Sequence, residues 1–172
     1  MSPLSTGGRT VPPEWIDYND HMMDGYYSVA FAEATEAFLD QVGLGPAYRE
    51  QAGFSIYTVE SHLCFFTSVR VGARLRYSSQ LLGADTKRMH VFHRITEAGS
   101  GDEVATNELM FLHVDVATER VAPMPSERRL AVEALAREHA ALPVPPQAGR
   151  RIAMPSRLVL PSARPPQPGM RP

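Results

Sequence analysis

The sequence predicts an α+β fold: a five-stranded antiparallel sheet around one long helix, followed by a short helix and a proline-rich tail. Three observations carry this. One amphipathic stretch recurs at helical spacing, with Tyr27, Phe31, Ala34, Phe38 and Val42 at steps of three and four residues. Four consecutive runs rich in aromatic and β-branched residues follow it, joined by connections too short for anything but antiparallel neighbours. One long helix with such a sheet is the α+β pattern.

The elements can be justified in chain order. Val11-Pro12-Pro13-Glu14-Trp15-Ile16 is expected to be extended and to supply the first strand, because each proline fixes its own φ and biases its predecessor away from helix. Asp17-Tyr18-Asn19-Asp20-His21 is a polar cluster of turn formers. The helix of about five turns then opens with Asp24 as expected N-cap and stops at Gly43 and Gly45. After a loop around Gly53 come strands over Phe54–Ser68, Ala73–Gly83, Met89–Thr96 and Val104–Val116. Their turns, Val71-Gly72, Ala84-Asp85-Thr86 and Ala98 to Asp102, carry turn chemistry. Ser126–Leu142 is a second helix, with Ser126 expected to cap it. Beyond it the prolines forbid regular structure, apart from a short extended piece at Arg157–Leu160. The domain therefore spans residues 1–142 and the extension 143–172.

Composition limits what the chain can be. At 172 residues a single domain is the default. The net charge of −2 divides unevenly: the last 30 residues hold five arginines, nine of the 15 prolines and no acid, a +5 tail on a body of net −7. An acidic body argues against nucleic acid as a partner. No apolar run approaches the ~18–20 residues a membrane span needs, and Met1–Thr10 lacks the order of a secretory signal. A single cysteine, Cys64, excludes an internal disulfide and reads as core, and a cytoplasmic location is the economical expectation. His90 and His93 fall on opposite strand faces, and His113 with Asp115 lacks a third ligand, so no metal site is expected. A single sheet of this kind covers one face and leaves edges exposed, so a homo-oligomer, dimer or tetramer, is expected.

Trp15 to Met22, directly before the helix, resembles the loop of the hotdog-fold acyl-CoA thioesterases, more narrowly the 4-hydroxybenzoyl-CoA thioesterase-like group, whose loop reads Asp-x-x-Gly-His-x-Asn. Asp17 and His21 match its Asp and His, whereas Asp20 stands for the Gly and Met23 for the Asn. Tyr57–His62, Asp85–His93, Leu112–Asp115 and Leu142–Pro155, with Gly149-Arg150 inside the last, extend the likeness to the thioesterases of carnitine breakdown, which hydrolyse betainyl-CoA. The resemblance covers Val11 to Pro155 and implies an acyl-CoA substrate with no metal or redox cofactor. Two alternatives accompany it: a thioesterase for another short or aryl acyl-CoA, and a non-catalytic acyl-CoA-binding protein, the latter motivated by Asp20 and Met23.

The residues suit that reaction. Thioester hydrolysis needs a nucleophile or base, and donors for an oxygen that becomes negative. Asp17 is the expected carboxylate, attacking the thioester or deprotonating water, with Asn19 and His21 shaping its loop. The free N–H groups at the helix start, Asp24 and Gly25, are the expected oxyanion donors. Glu60 and His62 share a strand face, and an acid suits a cationic acyl group. Aromatic faces also recognise trimethylammonium, with Trp15, Tyr26 and Tyr57 the candidates. Lys87 and Arg88, and Arg150 in the tail, are candidates for the CoA phosphates.

Overall fold

In a computed structural model, described over residues 2–154, alternating side chains build one antiparallel sheet and the apolar stripe of a long helix fills its concave face. The strands are β1 (Leu4–Thr10), β2 (Phe54–Phe65), β3 (Arg74–Ala84), β4 (Arg88–Glu97), β5 (Glu103–Asp115) and the two-residue β6 (Arg120–Val121). They run in the order β1-β3-β4-β5-β2, with β6 added to β5. The helices are α1 (Asp24–Gln41), α2 (Pro46–Ala52) and α3 (Ser126–His139). The architecture is the expected α+β one, and β2 to β5 fall within three residues of the expected runs.

The first strand lies elsewhere than expected. Residues Pro13–Trp15 form a short 3-10 turn, and the strand is Leu4–Thr10. Gly7 and Gly8 explain the difference. Gly7 has φ 104 and sits in a bulge, while a Cβ on Gly8 would lie 2.3 Å from the Leu75 carbonyl oxygen. A glycine pair inside a strand marks a bulge and a close backbone approach, and neither raises the strand signal of a sequence. The Gly53 loop also contains α2, closed by Gly53 itself at φ 72. Neither helix is capped as expected. Met23 and Pro125 hold the N-cap positions without a side-chain bond, and Asp24 and Ser126 are the first helical residues.

Tyr27, Phe31, Ala34, Phe38 and Val42 are all buried, as the helical spacing demands. The first half of α1 packs with Leu75, Tyr77, Ile95, Val104 and Ala105. The second half packs with Leu81, Val91, Leu109 and Phe111, and with Val132 of α3. Between them runs a buried polar chain: Thr6 Oγ1 to Ser79 Oγ at 2.9 Å, Ser79 Oγ to His93 Nδ1 at 2.6 Å, and His93 Nε2 to Thr35 Oγ1 at 3.1 Å. It ties β1, β3 and β4 to α1 at one level of the core. His113 is fixed likewise: Nδ1 donates to the Ala122 carbonyl and Nε2 accepts from the Tyr48 hydroxyl, both at 2.8 Å. His139 Nδ1 accepts the Leu81 N–H at the β3 bulge.

The convex face carries the start of the extension. Gln80 Nε2 donates to the Pro143 carbonyl, Gln147 Nε2 donates to Glu103 Oε1 at 2.6 Å, and Gly149 N–H donates to Glu108 Oε2 at 2.7 Å. Residues 143–150 are thus strapped across the sheet by two carboxylates of β5, which also hold Arg94 and His90. The extended piece expected at Arg157–Leu160 lies outside the described residues.

Burial pushes the His93 imidazole down to about 3, against about 6.5 in an unfolded chain. Between those values the unfolded chain binds a proton that the folded chain refuses. The stability is complete above pH 6.5 and is lost toward pH 3, by about 1.4 kcal/mol per pH unit for this one group. Burial lowers His113 and His139 in the same direction. Urea unfolding at pH 7 and pH 5 is expected to show a smaller acid loss in His93→Gln than in the native chain; equal losses would remove His93 as the source.

Candidate active site at the start of the long helix

The expected catalytic loop folds into a short hairpin that presents α1. Ile16 bridges Met22, and Asp17 N–H donates to the His21 carbonyl at 2.9 Å. Met22 N–H donates to Val69 and Met23 N–H to Trp15, both at 2.9 Å, so the helix start is tied to two neighbouring segments. Asp17 is half-buried, and its Oδ1 accepts the Asn19 N–H at 2.8 Å. Asn19 and His21 therefore shape the loop through backbone atoms. Asp20 has φ 60, the left-handed region where glycine is strain-free. Its side chain is exposed, so its charge is screened by water.

The helix start itself offers donors. Asp24 and Gly25 occupy its first two positions, where N–H groups lack intrahelical partners. The Gly25 N–H is engaged by Asp24 Oδ1 at 2.8 Å. Beside them a cavity of about 240 Å³ is lined by Met22, Asp24, Tyr27, Phe65, Phe66 and two polar residues. Tyr27 meets Phe65 edge-on, with centroids 5.1 Å apart, and burial raises its phenol, which stays protonated at neutral pH.

The other expected residues do not gather here. Trp15 is buried, with Tyr26 stacked on it at 5.1 Å and the Arg9 guanidinium 4.8 Å from its ring centre, and it does not line the helix-start cavity. Tyr57, Glu60 and His62 pair with Leu112, Met110 and Glu108 and face the convex side, away from α1. Glu60 and His62 do share a face, but it is the one the strap crosses. There they line a cavity of about 310 Å³ with His90, Glu108 and Arg150. Cys64 is half-buried on the same side, not in the core, with its Sγ 4.0 Å from His62 Nε2. Lys87 and Arg88 lie at the β3–β4 turn. Asp85 pairs with Arg88 at 2.6 Å and caps both backbone N–H groups, so its carboxyl is held low. About seven residues of β4, roughly 23 Å of strand, separate this turn from Ile95 beside the helix start.

One continuity was not legible in the sequence. Phe65 and Phe66 line both the helix-start cavity and a second one, of about 510 Å³, formed with Arg150 and Arg151. His62 and Arg150 continue this into the cavity under the strap. Phe65 and Phe66 fall within the expected strand run Phe54–Ser68, and they are 53% and 42% exposed.

A long helix lying in the concave face of a curled antiparallel sheet defines a hotdog-fold protein. The chain belongs to the thioesterase-like superfamily, whose model matches residues 11–136, and is an acyl-CoA thioesterase by that membership. It is 44% identical over 152 residues to the betainyl-CoA thioesterase of Pseudomonas aeruginosa, covering 88% of this chain and 96% of that one. It is 40% identical over 150 residues to the L-carnitine dehydrogenase/betainyl-CoA thioesterase of Rhizobium meliloti, covering 87% of this chain and 30% of that longer one. Among solved structures, a Staphylococcus aureus protein in complex with CoA superposes with a TM-score of 0.82 at 26% identity, covering 90% of this chain and 98% of that one. A Pseudomonas putida KT2440 protein gives 0.79 at 35% identity, with 91% and 99% covered.

The two departures in the loop now have physical terms. Asp20→Gly removes a left-handed non-glycine residue and is expected to stabilise by about 0.5–1 kcal/mol. Met23→Asn supplies the missing N-cap oxygen, worth about 1 kcal/mol. Thermal unfolding of both variants checks this, and a lower midpoint in either would contradict the geometry.

Proposed function

We propose that the chain hydrolyses betainyl-CoA to glycine betaine and CoA. The observation that carries this reading is the near full-length likeness to a betainyl-CoA thioesterase, combined with a carboxylate loop at an open helix N-terminus. Asp17 acts as general base: its second oxygen takes a proton from water, the resulting hydroxide adds to the thioester carbon, and the C–S bond breaks to release CoA as thiolate. The Asp24 and Gly25 N–H groups receive the carbonyl oxygen as it becomes negative, aided by the positive end of α1. Asn19 and His21 hold the loop that aims Asp17.

Arg150, with Arg151, is the proposed seat of the CoA phosphates. Both line the cavity that meets the helix-start cavity at Phe65 and Phe66, while Lys87 and Arg88 lie at the other end of the sheet. A path from thioester to arginines suits a long pantetheine arm. Self-association is also proposed. β2 ends the sheet, and Tyr57 to Ser61 are exposed along it, with Tyr57 and Val59 apolar. A long exposed edge with apolar side chains favours pairing with a second copy of the chain. No described helix is long and apolar enough to cross a membrane. A cytoplasmic enzyme without a resident metal or redox cofactor completes the proposal.

A thiol-release assay across betainyl-, acetyl-, benzoyl- and 4-hydroxybenzoyl-CoA is expected to favour betainyl-CoA, and a preference for an aryl thioester would replace the substrate. Asp17→Asn is expected to lower kcat by at least about 100-fold; retained turnover would remove Asp17 from the chemistry. Joint replacement of Arg150 and Arg151 by alanine is expected to raise KM by about tenfold or more with a much smaller change in kcat, because charged hydrogen bonds to phosphate are lost. An unchanged KM would move the phosphates elsewhere.

A further inference from the structure

We propose that Asp24, Tyr27, Phe65 and Phe66 form the box that recognises the quaternary ammonium of the acyl group, and that Asp24 couples this recognition to the oxyanion donors. The inference rests on the betainyl-CoA reading above. It begins with the acyl group itself. In a betainyl thioester one methylene separates the cationic nitrogen from the carbonyl carbon, placing them about 2.5 Å apart by ordinary N–C–C geometry. Whatever holds the cation must therefore adjoin whatever holds the carbonyl oxygen.

That requirement sorts the acidic sites. Glu60 faces the convex side of the sheet with His62 and Arg150, on the opposite face from α1. Glu36 lines a separate cavity with Thr35, Ser61 and Asn107, three helical turns beyond Asp24 and about 18 Å along α1. The cavity beside Asp24 is the one that touches the helix start, and it joins a carboxylate to three aromatic rings. Tyr27 and Phe65 stand edge-on to one another with ring centroids 5.1 Å apart, and both line this cavity. Phe65 and Phe66 present large exposed apolar surface at a rim that carries a negative charge. Aromatic faces next to a carboxylate are the environment a trimethylammonium group prefers, since its charge is spread over methyl groups and it donates no conventional hydrogen bond.

The position of the Asp24 carboxylate adds a consequence. It accepts the Gly25 N–H, one of the two donors assigned to the oxyanion. Attraction to the incoming ammonium draws the carboxylate off that N–H and leaves it pointing at the carbonyl oxygen. A cationic acyl group thus opens its own oxyanion site, and a neutral one leaves Asp24 in place.

The test compares betainyl-CoA with 3,3-dimethylbutyryl-CoA, in which a carbon replaces the nitrogen and only the charge is lost. The readout is the ratio of kcat/KM for the two. Native protein is expected to favour the cationic thioester by about tenfold or more, and Asp24→Asn and Phe66→Leu to lower that ratio at least about fivefold each. Glu36→Gln is expected to keep the native ratio. Saturation-transfer NMR with glycine betaine gives a readout independent of turnover, and the same two variants are expected to lose the methyl signal. A native ratio near one, a ratio unmoved in both variants, or a fall in Glu36→Gln instead would overturn the box. Loss of turnover on both thioesters with glycine betaine still bound through Phe66 would overturn the hydrolase reading and leave the box standing.

Discussion

The seating of the α1 N-terminus is the constraint on which the rest of the molecule depends. A helix end has unsatisfied N–H groups, and they serve chemistry only if the end is held still and left open. Two backbone bonds do the holding, from Met22 to Val69 and from Met23 to Trp15. They are possible because the buried stripe of α1 fixes its depth in the sheet, and because β1 closes that side of the core through Thr6, Ser79, His93 and Thr35. Each layer adds rigidity to the one above it. Met23 supplies no capping side chain, and the one side-chain contact at this end is the Asp24 carboxylate on the Gly25 N–H.

Much of this was legible in the sequence. The period of α1, the alternation of β2 to β5 and the turn chemistry between them are local properties, and they led to the right elements. The Asp17 loop was legible for the same reason, since its residues are adjacent in the chain. What escaped depends on contacts between distant segments. β1 is masked by Gly7-Gly8, whose bulge exists only against Leu75. Trp15 looked available for a ligand because nothing in its own neighbourhood reveals that Arg9 and Tyr26 cover it. Glu60 and His62 were rightly placed on one face, but which face is settled by the pairing with β5 after the bulge between Thr58 and Glu60. Phe65 and Phe66 are large apolar residues and are exposed all the same, because β2 is the edge of the sheet and Phe65 is its last residue.

The divided charge of the chain has a structural counterpart. The basic extension begins by lying on acidic positions of β5, with Glu103 and Glu108 each holding one strap residue and one basic side chain. Arg150 and Arg151 are delivered by that strap to the edge of the cavity at Phe65 and Phe66. The tail is thus less an appendage than a way of importing positive charge to a body that has little to spare.

Trp15 is the chain's one tryptophan, and its setting makes it a built-in reporter. Its emission arises from a single place, two residues before Asp17, between a phenol and a guanidinium contributed by two other segments. Release of β1 withdraws Arg9, and motion of the helix start withdraws Tyr26. Intrinsic fluorescence is therefore expected to report the seating of the Asp17 hairpin, in native protein and without an added dye.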